Sequence, residues 1–179
     1  MFPAFLPSAV GQLTEATSLA LAQIIQQQAI ATPLQVNPIL TTYACQGQAG
    51  VPLLLLPGFD SSLLEFRRLL PLLAEQTETW TVDLLGFGFT ERPLGLAYSP
   101  TQIKTHLHCF WQQMIQRPVT LVGASMGGAA ALDFALTYPE AVAQLVLIDS
   151  SGFAPSPIAS KFIMNRRQSN NTCTYFMHY

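Results

Sequence analysis

The strongest chemical signal in the sequence is a serine held between two glycines, in the run Gly123-Ala124-Ser125-Met126-Gly127. An apolar segment precedes this run, and a helix-forming segment follows it. A serine hydroxyl acts as a nucleophile when it stands on a sharp strand-to-helix turn, clear of its neighbours. Side chains at Gly123 and Gly127 would collide with the strand or the helix. The pattern predicts nucleophilic chemistry at Ser125, beside free backbone N–H groups that favour developing negative charge.

Two further loops each follow an apolar strand. The first begins with Pro57-Gly58-Phe59, directly after the run Leu53-Leu54-Leu55-Leu56. The second is Asp83-Leu84-Leu85-Gly86-Phe87-Gly88-Phe89-Thr90. We expect Asp83 to cap this loop by accepting backbone hydrogen bonds, rather than to act as a catalytic acid. The phenylalanines of the two loops either line an acyl pocket or pack in the core; they are Phe59, Phe87 and Phe89.

An alternation of strands and helices must position these loops. Hydrophobic runs and turn residues predict strands over Ile39–Cys45, Val51–Leu56, Thr79–Leu84, Pro118–Val122 and Gln144–Ile148. Helical spacing and capping residues predict helices over Thr14–Ile30, from Ser61 or Ser62 to about Ala74, from Ser99-Pro100, and over Met126–Tyr138. This order favours an α/β fold with a doubly wound, mostly parallel sheet and right-handed crossovers.

Composition excludes several classes of function. The chain has 179 residues, of which 50% are hydrophobic and 10% charged, and a net charge of −2. It therefore has enough apolar surface for a folded domain and no basic surface for nucleic acid. Three scattered cysteines match neither a zinc site nor a disulfide framework and suit a reducing compartment. No segment resembles a signal peptide or a transmembrane segment, so a cytoplasmic location is expected, with contact at a membrane surface left open.

Taken together and in order, the three loops resemble the α/β-hydrolase superfamily, over about Ile39 to Gly152. The resemblance implies that the backbone N–H groups of Phe59 and Met126 form an oxyanion hole, each worth roughly 3–4 kcal/mol to a tetrahedral intermediate. Pro57 stands where the family usually has a histidine that braces the loop. In this family a serine at the strand-to-helix turn, here called the elbow and formed by Gly123 to Gly127, implies hydrolysis of an ester, thioester, amide or C–C bond of a small-molecule acyl substrate, or acyl transfer, with no metal or organic cofactor.

The family's triad partners follow the nucleophile in the order acid, then histidine. The acids after Ser125 are Asp133, Glu140 and Asp149, and the histidine is His178. Asp133 and Glu140 are predicted to point away from the site, whereas Asp149 ends a strand and is either the acid or a support for the next loop. His178 is the candidate base if the tail folds back over Ser125. His106 and His108 precede the nucleophile on a predicted helix. They are predicted to be surface residues or to lie at the boundary between surface and core.

These observations divide the chain into a helical segment (1–35), a hydrolase core (36–154) and an irregular tail or start of a lid (155–179). We expect the chain to stop before the family's last strands, helices and triad partners. Three interpretations remain open: a serine hydrolase, an inactive or binding-only protein of the same fold, and a scaffold completed by a partner chain. The substrate and the oligomeric state are not predicted.

Overall fold

The computed structural model describes residues 2–151 and the backbone of residues 175–178. Within them, seven strands form one sheet in the order β1-β2-β4-β3-β5-β6-β7. The strands are β1 (Gln26–Ile30), β2 (Ile39–Gln46), β3 (Leu53–Leu56), β4 (Thr79–Val82), β5 (Val119–Ala124), β6 (Val142–Ile148) and β7 (Tyr175–His178). The helices are α1 (Ala16–Ile24), α2 (Leu69–Ala74), α3 (Pro100–Met114) and α4 (Met126–Thr137), with short 3-10 helices at Ser8–Gln12, Leu63–Phe66 and Pro139–Ala141.

The predicted mostly parallel, doubly wound sheet is confirmed. β4, β3, β5, β6 and β7 run parallel, whereas β1 and β2 add an antiparallel edge. The connection from β3 to β4 runs in one direction through α2, and those from β4 to β5 and from β5 to β6 run the other way through α3 and α4. The direction reverses between β3 and β5, which opens a crevice at the carboxyl ends of these strands.

Both faces of the sheet are covered by helices because β3 is apolar on both sides, and each face is covered by a different pair of helices. On one face Leu54 packs with Phe110 of α3 and Phe134 of α4. On the other face Leu55 packs with Leu21 of α1 and Leu70 of α2. A strand buried on both faces is expected in a parallel sheet, and the run of four leucines satisfies this requirement.

The predicted helix over Thr14–Ile30 is wrong after Ile24. Ile25 is extended, and β1 pairs antiparallel with β2, so that Ile30 lies opposite Ile39. Both isoleucines are fully buried. Pairing with a sheet edge and burial of Ile30 outweigh the favourable helix propensity of the glutamines. The N-terminal part of the chain therefore contributes to the central sheet.

Two other elements differ from expectation. The helix expected from Ser61 or Ser62 to about Ala74 is divided into the 3-10 helix Leu63–Phe66, capped by the Ser62 hydroxyl, and α2. In the tail, where no strand was expected, Tyr175–His178 pairs parallel with β6. Four residues are too few to show a periodicity, and the open edge of β6 supplies their hydrogen-bond partners. The rest of the predicted tail lies outside the described residues.

The described helices are short. α3 is the longest of them, with 15 residues, whereas a bilayer crossing takes about 20 apolar residues. In residues 2–151 no helix combines the length and the apolarity that a membrane span requires.

Candidate active site

Ser125 occupies the sharp turn between β5 and α4, at the crevice. Its backbone has φ 50° and ψ −117°, on the positive-φ side of the Ramachandran map that non-glycine residues avoid. Its side chain is exposed and makes no capping hydrogen bond to the helix that follows. Such strain costs on the order of 1–3 kcal/mol and persists only where surrounding contacts enforce it.

The flanking glycines permit this turn because there is no room for a side chain. A Cβ on Gly123 would lie 2.3 Å from the carbonyl oxygen of Gly127. A Cβ on Gly127 would lie 2.3 Å from the carbonyl oxygen of Leu56 in β3. Close approach of β5, α4 and β3 therefore requires glycine at both positions, as the spacing of the motif predicts.

The last residue of β6 and a residue just after that strand hold Ser125 by its backbone. The Ser125 N–H donates to the Ile148 carbonyl at 3.0 Å, and the Ser125 carbonyl accepts from the Ser151 N–H at 2.9 Å. The Ser125 and Ser151 hydroxyl oxygens lie 3.3 Å apart. Sequence reasoning missed Ser151, whose only signal is its position just after a predicted strand.

The expected oxyanion loop lies opposite Ser125. Within residues 2–151, the backbone N–H groups of Phe59 and Met126 have no hydrogen-bond partner, so both remain available to a ligand. The preceding N–H, that of Gly58, donates to the Glu65 carboxylate at 2.8 Å. The Phe59 side chain is 72% exposed and meets Phe87 edge-on, with ring centroids 5.8 Å apart. This pair forms an apolar wall at the crevice.

Asp83 holds the two loops together, as the sequence predicts. Its carboxylate accepts from the Leu63 N–H at 2.6 Å and from the Phe89 N–H at 2.8 Å. Gly88 is required beside it, because a Cβ there would lie 2.2 Å from the carboxyl carbon. Burial raises the pKa of Asp83 to about 7. These contacts make Asp83 a structural residue of the site.

We expect Asp83 to make stability fall as the pH rises. Its pKa is about 7 in the folded chain against an ordinary 3.8, so the folded state binds more protons between these values. The stabilisation is present at low pH and is lost as the pH rises through 7. Asp83→Asn should therefore destabilise the chain more at about pH 5 than at about pH 7, by up to about 1.4 kcal/mol per pH unit in urea unfolding.

His106 contributes with the opposite sign but does not disturb this comparison. Burial lowers its pKa from 6.5 to about 4, so its effect on stability rises with pH between these values. Because His106 is present in both chains, its effect cancels in the difference between wild type and Asp83→Asn. If Asp83→Asn lowered the free energy of unfolding equally at both pH values, the pKa of Asp83 would not be raised in the folded chain.

The histidines of α3 lie away from Ser125. His106 is 1% exposed and its Nε2 lies 2.8 Å from the Thr41 hydroxyl, so its predicted boundary or surface position is wrong. The helix buries it because it lies one turn from Ile103 and Phe110, on the face that packs on the sheet. His108 is partly buried and stacks on Tyr138 at 3.7 Å.

The candidate acids fall into two groups. Asp133 pairs with Lys104 at 2.9 Å, and Glu140 lies in the 3-10 helix at the far end of α4. Asp149 follows β6 directly, beside the elbow, with an exposed side chain and φ 44°. The Asp149 carboxylate makes no hydrogen bond or ion pair with a described residue. Of the three, only Asp149 lies at the edge of the sheet that carries Ser125.

β7 brings the backbone of His178 to that same edge. His178 is in register with Ile148, and Ile148 is in register with Ala124, the residue directly before Ser125. Adjacent strands lie about 4.8 Å apart, so the His178 backbone is two strand spacings from β5. Its side chain lies outside the described residues.

A groove of about 1010 Å³ runs beside the oxyanion loop. It lies between the N-terminal segment and the glycine-containing loop, and its walls include Glu15, Asp60, Phe87 and Phe89. Neither Ser125 nor Phe59 lines this groove. The groove therefore neighbours the crevice without containing the candidate nucleophile.

Comparison with known proteins finds relatives among hydrolases. The sequence is 38% identical to the alpha/beta hydrolase domain-containing protein VTE7 of Arabidopsis thaliana over 86% of this chain and 48% of that protein. It is 38% identical to Lipase 1 of Psychrobacter immobilis over 62% of this chain and 35% of the lipase. A meta-cleavage product hydrolase of Pseudomonas fluorescens superposes with a TM-score of 0.63 and 29% identity, over 70% of this chain and 45% of its own.

The match to a known family covers most of the core. The chain spans half or less of the length of these relatives. Residues 51–171 match the family described as alpha/beta hydrolase fold. The chain belongs to the alpha/beta hydrolase fold family.

Proposed function

We propose that this chain carries the nucleophile of a serine hydrolase that acts on small-molecule acyl substrates. The observation that supports the proposal best is Ser125 itself: an exposed hydroxyl in a strained backbone conformation that two glycines and the backbone hydrogen bonds to Ile148 and Ser151 maintain. Strain of this kind lowers stability and is found chiefly at functional sites. The similarity to a lipase and to a meta-cleavage product hydrolase supports ester or C–C bond hydrolysis.

Each residue has a role in the proposed reaction. The Ser125 hydroxyl oxygen attacks the carbonyl carbon of the substrate and passes its proton to a base. The tetrahedral oxyanion is held by the N–H groups of Phe59 and Met126. When the intermediate collapses, the leaving group departs with a proton from the protonated base, and water then hydrolyses the acyl-serine ester. Asp149 as acid and His178 as base are the candidates that share the edge of the sheet with Ser125.

The second candidate function is binding without efficient turnover. Among the described side chains, the polar neighbour of the Ser125 hydroxyl is the Ser151 hydroxyl, which is neither an imidazole nor a carboxylate. A serine without a base is a weak nucleophile. On this interpretation the 179-residue chain keeps the acyl site but turns substrate over slowly.

Two further features bear on the kind of acyl group and on the compartment. The Phe59–Phe87 pair offers an apolar surface, which fits an apolar acyl group. Cys45 and Cys109 are free thiols, which suits a reducing compartment such as the cytoplasm.

Hydrolysis of p-nitrophenyl butyrate tests the proposal. We expect the wild-type chain to exceed the Ser125→Ala chain, whose rate should equal the uncatalysed background. A fluorophosphonate probe should label Ser125 and fail to label the variant. Rapid turnover supports the first candidate, and slow turnover with Ser125-dependent labelling supports the second. Equal rates and equal labelling in both chains would overturn the assignment of Ser125.

A further inference from the structure

Glu65 is bound to the oxyanion loop at the residue that faces Ser125. Its Oε2 accepts the Gly58 N–H at 2.8 Å. A Cβ built on Gly58 would lie 3.4 Å from the Ser125 Cβ and 3.6 Å from the same Glu65 oxygen. Gly58 is buried, and these two distances place it between Ser125 and the Glu65 carboxylate. A hydrogen bond to an ionised acceptor is about twice as strong as a neutral one.

The element that carries Glu65 is itself firmly placed. Glu65 belongs to the 3-10 helix Leu63–Phe66, in which Leu63 and Phe66 are buried. The helix begins at the Ser62 cap, and the Leu63 N–H is held by Asp83. A side chain on such an element can fix a neighbouring loop, because its own backbone has little freedom to move.

We infer that Glu65 is the positioning residue of the oxyanion loop. This inference rests on the proposed function, since it assigns the loop a role at Ser125. By accepting the Gly58 N–H, Glu65 fixes the Pro57–Gly58 peptide, so that the N–H of the next peptide, that of Phe59, stays free towards the crevice. It supplies the brace that Pro57 cannot, because the ring of Pro57 has no polar side-chain group to hold the loop.

The charge of Glu65 is not what the loop requires. A carboxylate next to an oxyanion hole opposes the negative charge that develops on the substrate, whereas an uncharged amide oxygen does not. Arg67 and Arg92 line the same groove and offset part of this charge, while Asp60 and Glu15 add to it. The acceptor oxygen at the end of the side chain is the essential group, so glutamine should replace glutamate.

Amide hydrogen exchange at Gly58, followed by NMR in the full chain, tests the inference without any need for activity. Glu65→Met removes the acceptor and keeps the length of the side chain. We expect Gly58 exchange to become about 10-fold faster or more, since a hydrogen bond to a charged group is lost. Glu65→Gln keeps an acceptor oxygen, so its Gly58 exchange should stay closer to the wild-type rate than to that of Glu65→Met. Glu75→Met, an exposed position at the end of α2, is the matched control and should leave Gly58 unchanged.

Kinetics on p-nitrophenyl butyrate provide the second readout. Glu65→Met should lower kcat by about 100-fold with KM nearly unchanged, as expected for a misplaced donor. Glu65→Gln should retain most of the wild-type kcat. The inference would be overturned if Glu65→Met raised KM and left kcat unchanged, or if it left Gly58 exchange unaffected. If wild type is inactive but Glu65→Met accelerates Gly58 exchange, the positioning of the loop stands and the proposed hydrolysis fails.

Discussion

Replacing Gly127 with alanine is expected to destabilise the protein by about 3 kcal/mol or more, a large part of the stability of a typical domain. The added Cβ would lie 2.3 Å from the Leu56 carbonyl oxygen and 2.5 Å from that of Pro57. Both contacts are with backbone, so no side chain can rotate away. Relief requires α4 to move off β3, which opens the crevice and separates Ser125 from the oxyanion loop.

Urea unfolding followed by circular dichroism measures this effect. Gly11→Ala is the matched control, because a Cβ on Gly11 has no neighbour within 4 Å and its φ is not positive. We expect the control to stay within about 0.5 kcal/mol of wild type. If both variants unfold at the wild-type midpoint, the close packing of α4 on β3 is wrong.

Replacing Ser125 with glycine is expected to stabilise the protein while it abolishes hydrolysis. Glycine adopts positive φ without penalty, so the variant should gain about 1 kcal/mol in the free energy of unfolding. Ser125→Ala removes the same hydroxyl but keeps a Cβ in the strained conformation. It should lose hydrolysis equally and gain no such stability.

The comparison of these two variants separates strain from chemistry. Thermal unfolding should place Ser125→Gly several degrees above Ser125→Ala. The p-nitrophenyl ester assay should find both at background. A glycine variant no more stable than the alanine variant would show that the turn is relaxed, which removes the main support for a nucleophile at this position.

The sequence was sufficient where chemistry depends on local pattern. The apolar run before Gly123 and the glycine spacing around Ser125 predict the elbow because the steric requirement falls on adjacent residues. Asp83 was interpretable for the same reason, since the loop that it caps follows it directly. These features lie within a few residues of one another, so the sequence displays them.

Contacts between distant parts of the chain were not visible. Ser151 reaches Ser125 across 26 positions, and no periodicity indicates that pairing. Glu65 was hidden because it lies on an exposed stretch of a predicted helix and its role depends on how the chain turns at Gly58. Gln26–Ile30 forms a strand because β2 is available to pair with it. Tertiary pairing decides such elements more than propensity does.

The hydrogen bonds of the elbow to Ile148 and Ser151 have a consequence for how the protein is made. During synthesis, Ser125 leaves the ribosome before the residues that hold it in place. Until β6 has docked beside β5, the strained turn lacks its hydrogen bonds to Ile148 and Ser151, so these two residues cannot yet hold Ser125 in place. The conformation of Ser125 in the folded chain is therefore completed only after the strand that follows α4 has joined the sheet.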